Sequence, residues 1–196
     1  MEKRSLMVKN PKWYQFGRSQ CLAKFHDTPK LIWSVLATSA PYALEKSDLQ
    51  FTGGGNGPYY ALLRKSDYSL LYILGILSHP LIENMVKAGA SEFRGEYYSH
   101  GKQFIENLPI RKIDFNKPDE VEQYNTIVKT VENLIKTKAK LNEAKYGSIK
   151  TVLARKENVL YGQLVQAINN LYQISDDDFE TVMNDEMFNT VLGVEE

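Results

Sequence analysis

At 196 residues, 43% of them hydrophobic and 24% charged, the chain has material for one folded core and an appendage, and its composition excludes a disordered or fibrous protein. Its 24 basic and 24 acidic side chains cancel to zero net charge, which argues against a protein that grips nucleic acid unaided. The charge is unevenly placed. Residues 1–30 hold Lys3, Arg4, Lys9, Lys12, Arg18, Lys24 and Lys30 against Glu2 and Asp27, whereas residues 175–196 hold eight acids and no base; this suits one phosphate-facing end or simply two solvated faces.

The N-terminus is polar and basic with no apolar signal core, and no window is long enough to span a bilayer, so the cytoplasm is the expected compartment. Cys21 excludes an internal disulfide and reads as a buried thiol rather than a nucleophile. With the scattered His26, His79 and His100 it builds no metal framework. Trp13, Tyr14 and Phe16 stand beside Gln15, Arg18 and Gln20, which suits a lid on a core as well as a surface meeting nucleic acid. Asn10-Pro11-Lys12-Trp13 looks superficially like the Asn-Pro-Pro-aromatic signature of amino-methyltransferases. Lys12 breaks that match, and no glycine-rich cofactor-binding strand precedes it.

Residues 30–37, 42–44 and 59–63 are short β-branched and aromatic runs separated by Pro, Gly and Asp, and they read as strands of one small sheet, with residues 45–51 a strand or loop between them. Gly53 to Pro58 is a turn. A phosphate-cradling loop would need a following Gly-Lys-Ser/Thr at a helix start, which is missing. Ser66-Asp67 offers a cap for a mostly buried helical pattern over residues 68–87, which Pro80 bends or splits, and His79 reads as a hydrogen-bonded structural histidine. From Ser91 to Ile110 polar and aromatic residues alternate, with Arg94, Tyr97, Tyr98, His100, Lys102 and Gln103 as donors of the kinds that contact phosphates and base edges. Leu108 to Ile113 reads as a closing strand or an extended exit.

After Asn116-Lys117-Pro118 the period changes. Val121, Tyr124, Val128, Val131 and Ile135 form the apolar stripe of a long helix over residues 119–145. Tyr146-Gly147-Ser148 breaks it. Val152, Leu153, Val159, Leu160, Leu164, Ile168 and Leu171 mark a second helix that closes an antiparallel hairpin, and Ser175 caps a last short helix that opens with Asp176-Asp177-Asp178. Pro118-Asp119 with Glu143-Ala144-Lys145 formally fits a metal-nuclease pattern. That pattern needs two adjacent strands, and here it falls on a helix, so chance explains it better.

In order, Trp13-Tyr14-Gln15-Phe16-Gly17-Arg18-Ser19-Gln20, Pro29-Lys30-Leu31-Ile32, Tyr59-Tyr60-Ala61-Leu62, Leu77-Ser78-His79-Pro80-Leu81, Arg94-Gly95-Glu96-Tyr97 and Leu108-Pro109-Ile110 resemble the TaqI-like C-terminal specificity domain. This family supplies target recognition to adenine-specific DNA methyltransferases and fused type II restriction-modification enzymes. The resemblance covers residues 12 to 113 and extends more loosely to Leu171-Tyr172-Gln173-Ile174. The family often shows an asparagine before its apolar strand and a serine in place of His100, and the glycine loop here is longer, departures that fall where the target sequence is read.

The resemblance implies an α+β fold: a small mixed β-sheet recognition domain with packed helices over residues 1–115, followed by a C-terminal antiparallel helical hairpin over residues 116–196 that serves docking. It implies a sequence-specific DNA-binding portion without the catalytic half, so no methylation by this chain and no cofactor in it. S-adenosylmethionine, and Mg²⁺ where the parent also cleaves, belong to the missing catalytic domains. The expected partners are double-stranded DNA and a methyltransferase domain of the same or a partner chain, with a dimer through the helices left open and no membrane. The candidate DNA contacts are Arg18, Gln20, Lys24, Asn56, Arg94, Tyr97, Lys102 and Gln103, of which Arg94, Lys102 and Gln103 are the better candidates for base reading or its immediate support. A start directly on a recognition segment has the look of a boundary within a longer protein. Two alternatives stand beside this: a protein-interaction module docking through its helices, and one half of a type I specificity subunit.

Overall fold

The computed structural model describes residues 12–13, 25–51, 58–93 and 95–184. The α+β class and the helical C-terminal region are as the sequence indicates, but the strands divide between two small antiparallel sheets rather than joining one. In the first, β1 (Lys30–Ser34) lies between β3 (Ala43–Glu45) and β4 (Tyr59–Leu63), with Leu31 opposite Leu44 and Leu62 and Trp33 opposite Tyr60. In the second, β6 (Tyr97–Ser99) lies between β2 (Leu36–Ala37) and β5 (Glu92–Phe93). The expected strand over 30–37 therefore changes sheets at Val35. Its N–H donates to Pro58 O beside the first sheet, while its carbonyl accepts from His100 N of the second. Residues 45–51 form no strand beyond Glu45.

Side chains alternate along β1 with the period of two that a pleated strand imposes, burying Leu31 and Trp33. Lys30 is also fully buried. Its ammonium donates to the carbonyls of Phe25 and Thr28 at 3.0 and 3.2 Å and ties down the turn before the strand.

The helical pattern over 68–87 splits as Pro80 dictates. α1 (Leu70–Leu77) ends at Ser78, His79 is extended, and Pro80 opens α2 (Pro80–Gly89) at its first position. A proline disfavours helical backbone in the residue before it but suits the start of a helix, where its missing N–H leaves no bond unmade. The N-cap of α1 is Ser69, not Ser66-Asp67: its hydroxyl accepts from Leu71 N. Tyr68 is drawn out of the helix into a ring cluster with Tyr72, Phe115 and Tyr124, and its hydroxyl accepts from Ile113 N at 2.8 Å.

Residues 108–113 form the extended exit and join no ladder. Tyrosine hydroxyls take the place of ladder partners: Tyr72 donates to Arg111 O, and Tyr172 accepts from Arg111 N and donates to Pro109 O. A short helix, α3 (Lys102–Ile105), precedes this exit.

The two long helices are α4 (Pro118–Glu143) and α5 (Gly147–Tyr172), close to the lengths their apolar stripes indicate. Gln173, left-handed at φ 58°, ends α5, with Ile174 N bonded back to Asn169 O. α6 (Asp176–Asn184) is capped by Ser175, whose hydroxyl accepts from Asp178 N at 3.1 Å.

α1 is apolar nearly all round, because α4 and α5 cover one side and the first sheet another. Gly75 marks the closest approach: a Cβ built there would lie 3.0 Å from both Ile127 and Val131 and 3.4 Å from Leu164. Among the described residues, no helix is long and apolar enough to cross a membrane.

Two predictions follow from this packing. Gly75→Val should wedge α1 from α4 and destabilise by about 2 kcal/mol or more, with Gly75→Ala losing less because alanine regains about 1 kcal/mol of helix propensity; urea unfolding measures both. His79, buried with Nε2 3.1 Å from Asn169 Oδ1, has its pKa lowered by burial to about 4, and the bonds to Asn169 and the Val165 carbonyl only partly offset this. Folding therefore favours the neutral ring, and stability is lost as pH falls from about 6.5 through 4, by roughly 2 kcal/mol at pH 5. His79→Gln should flatten denaturation midpoints across that window.

Candidate nucleic-acid interface

The polar segment from Ser91 to Gln103 becomes a hairpin followed by a helix start. Phe93 and Tyr97 are cross-strand partners, 48% and 46% exposed, so two aromatic rings stand side by side on one face of the second sheet. The chain turns between them through Gly95 and Glu96, both left-handed, at φ 83° and 62°. Beyond β6, Gly101 is the N-cap of α3, and Lys102 and Gln103 occupy its exposed first turn. A Cβ at Gly101 would meet the Gln103 amide at 2.7 Å, so glycine there lets Gln103 fold back across the helix start. Lys102 Nζ lies 3.4 Å from Glu106 Oε2, both exposed; such a pair is weak enough to be exchanged for a phosphate.

Between Tyr97 and Lys102 the residues point inward. His100 is fully buried, and its Nε2 lies 3.1 Å from both carboxylate oxygens of Glu83 on α2, while Nδ1 lies 3.1 Å from Tyr98 O. Both ring nitrogens thus face oxygen atoms, and the ring is fixed between α2 and β6. The backbone of His100 adds two more bonds: its N–H donates to Val35 O, and its carbonyl accepts from Trp33 Nε1 at 2.9 Å. Tyr42 meets the His100 ring edge-on at 6.2 Å, and burial first, then the Glu83 charge, pushes its hydroxyl pKa up. Tyr98 is buried as well, with Lys87 Nζ 5.2 Å from its ring centre. His100 and Tyr98 are therefore not surface donors, contrary to the sequence expectation. They pack against α2 because alternation along β6 turns Tyr98 away from Tyr97.

Of the eight sequence candidates, Tyr97 is exposed on β6, and Lys102 and Gln103 are exposed at the start of α3. Arg18, Gln20, Lys24, Asn56 and Arg94 lie outside the described residues, as does Cys21. Lys30, counted with the basic N-terminal stretch, is buried and unavailable to phosphate. Glu92 and Glu96 flank the aromatic pair and raise the Tyr98 pKa further, after burial; this hairpin alone is not a basic surface.

Other chemistry is weakly organised. Asp119 and Glu143 occupy opposite ends of α4, roughly 36 Å apart at 1.5 Å per residue, so the nuclease-like pattern converges nothing. His26, Asp27 and Asp48 form an exposed cluster in which His26 Nδ1 lies 2.8 Å from Asp48 and Asp27 N donates to the same carboxylate. The Asp48 bond, then Asp27, raises the His26 pKa, and the His26 bond holds Asp48 below the usual carboxylate range. A crevice of about 400 Å³ opens between Tyr42, Ser78, Leu134, Lys138 and Tyr161. Two of its polar groups are already used, since Tyr161 donates to Ser78 O and Lys138 pairs with Glu157 at 3.3 Å, whereas the buried Tyr42 hydroxyl has no hydrogen-bond partner.

The signal for the buried pair was present in the sequence only as a histidine and a glutamate 17 residues apart, in different elements, with no spacing rule to join them. Glu83→Ala should leave the buried His100 Nε2 without its hydrogen-bond partner and cost about 1–3 kcal/mol, measured by urea unfolding at pH 7.

No family model matches the chain. It is 27% identical over 170 residues, 86% of its length, to the type II restriction enzyme and methyltransferase RM.Eco57I of Escherichia coli, and it spans 17% of that protein. The chain is thus related to a restriction-modification protein, of which it corresponds to about one sixth.

Proposed function

We propose that the chain is the DNA target-recognition portion of an adenine-specific methyltransferase or fused type II restriction-modification enzyme, with catalysis supplied by another domain of the same or a partner chain. The observation that carries this reading is the likeness to RM.Eco57I across 86% of the chain. The exposure of Tyr97, Lys102 and Gln103 supports it. An exposed aromatic ring, a flexible cation and a bidentate amide close together in the chain suit a duplex: lysine for phosphate or a base edge, amide for a base edge, ring for sugar or base contact. In this division of labour S-adenosylmethionine belongs to the catalytic domain, which also extrudes the target base.

A docking module is the second reading. It draws on Ile149, Val152 and Val159 of α5, which are 49%, 64% and 62% exposed, and on zero net charge. A low-salt mobility shift with duplex DNA separates the two, since a docking module leaves the DNA unshifted.

Selection from a random duplex pool tests individual roles. Arg94→Ala and Gln103→Ala should relax the preferred sequence, each by about 1–3 kcal/mol of discrimination at one base pair. Lys24→Ala should weaken all sequences alike and lower the salt slope by about 1. An unchanged sequence profile removes Arg94 or Gln103 from the base readers, and lost discrimination without a changed slope removes Lys24 from the phosphate contacts.

A further inference from the structure

The α4–α5 hairpin changes character along its length. Near its root the buried residues Ile127, Val131, Leu164 and Ile168 pack into the core. From residue 138 to residue 163 no position is buried. Lys138 and Glu157 pair across the two helices where the hairpin leaves the body. At 1.5 Å per residue the turn at 144–146 lies roughly 10 Å beyond Thr137, the last buried residue of α4, so the end of the hairpin projects from the body.

Charge follows the same division. Around the root, Asp119, Glu120, Glu122 and Glu132 stand against Lys117, Lys129 and Lys136, and Lys136 is paired with Glu132 at 2.9 Å. Beyond the Lys138–Glu157 pair, residues 139–156 carry Lys140, Lys145, Lys150, Arg155 and Lys156 against Glu143 alone. All five cations are exposed, and none makes an ion pair among the described residues. The first turn of α5 contains no carboxylate to offset them, unlike the first turns of α4 and α6. In a chain of zero net charge, five unpaired cations on a projecting tip are a local polycation.

We infer that this tip is a second DNA contact surface, holding backbone phosphates of duplex flanking the read sequence through Lys140, Lys145, Lys150, Arg155 and Lys156. The inference rests on the DNA-binding reading above and adds a site to it. The choice of duplex over an acidic protein follows from the residue types. Lysine is depleted from the buried centres of protein–protein interfaces, whereas mobile ammonium groups on flexible stems suit sequence-independent contact with phosphate. The recognition edge carries Glu92 and Glu96 beside Tyr97, so much of the non-specific attraction must come from elsewhere, and the tip supplies it.

The test compares the 196-residue chain with its Lys140→Gln/Lys145→Gln/Lys150→Gln/Lys156→Gln variant in duplex binding across a salt series. Each phosphate contact contributes about 0.9 to the slope of log K against log salt, so the four-lysine variant should lose about 3.6 from that slope and weaken equally on all sequences, with its preferred sequence unchanged. All four positions are exposed, and a circular dichroism melt coincident with the parent's confirms that folding is intact. On the unsubstituted chain, lysine acylation read by mass spectrometry should show these four amines protected by duplex DNA. If the parent binds duplex while the variant keeps its slope and the amines keep their reactivity, the tip inference falls and the recognition reading stands. If the parent binds no duplex at low salt, both fall.

Discussion

The buried contact between Glu83 and His100 is the constraint on which the exposed edge depends. A charged carboxylate removed from water is costly unless a partner and hydrogen bonds compensate it. Here the compensation requires that α2, β6 and the start of α3 hold fixed positions, because His100 uses both ring nitrogens and both backbone groups on different neighbours. The aromatic pair before it and the polar helix start after it inherit that placement. Neither β5 nor β6 is long enough to fix its own position, at two and three residues; the histidine does it for them.

A second device holds the rest. The exit from the sheet region carries backbone groups with no strand to pair with, and Tyr68, Tyr72 and Tyr172 satisfy them from α1, α5 and the turn before α1. Phenol side chains can do this because each presents a large apolar body to the core and one polar tip to the peptide. Packing and hydrogen bonding are therefore supplied by the same residues, and the extended segment is tied to α1 and α5 at once.

Legibility from sequence varied with the range of the interaction involved. The long helices could be read because every turn repeats the same alternation of Val, Ile or Leu with Lys and Glu, so local pattern alone locates them. The break at Pro80 and the cap at Ser175 are equally local. Division of the strands between two sheets was not legible, since Leu36 and Ala37 carry no mark of which partner they choose. Local sequence favours Ser66 over Ser69 as the cap, because the pull on Tyr68 comes from Phe115 and Tyr124, about fifty residues further on. His100 was read as a surface donor for a similar reason: among Tyr, Ser, Gly and Lys it looks solvated, and only the fold brings Glu83 to it. Residue type singles out Tyr97, Lys102 and Gln103 as exposed donors, but where the fold presents them depends on that buried contact.

The residues that bury α4 and α5 all lie on the body side of the Lys138–Glu157 pair. The length of chain beyond the pair is therefore uncoupled from the packing of the core. Seven residues added to each helix beyond the pair would preserve the facing stripes and move the turn outward by about 10 Å, leaving α1 and both sheets undisturbed. An element of this kind can drift in length among related proteins while everything it springs from stays the same.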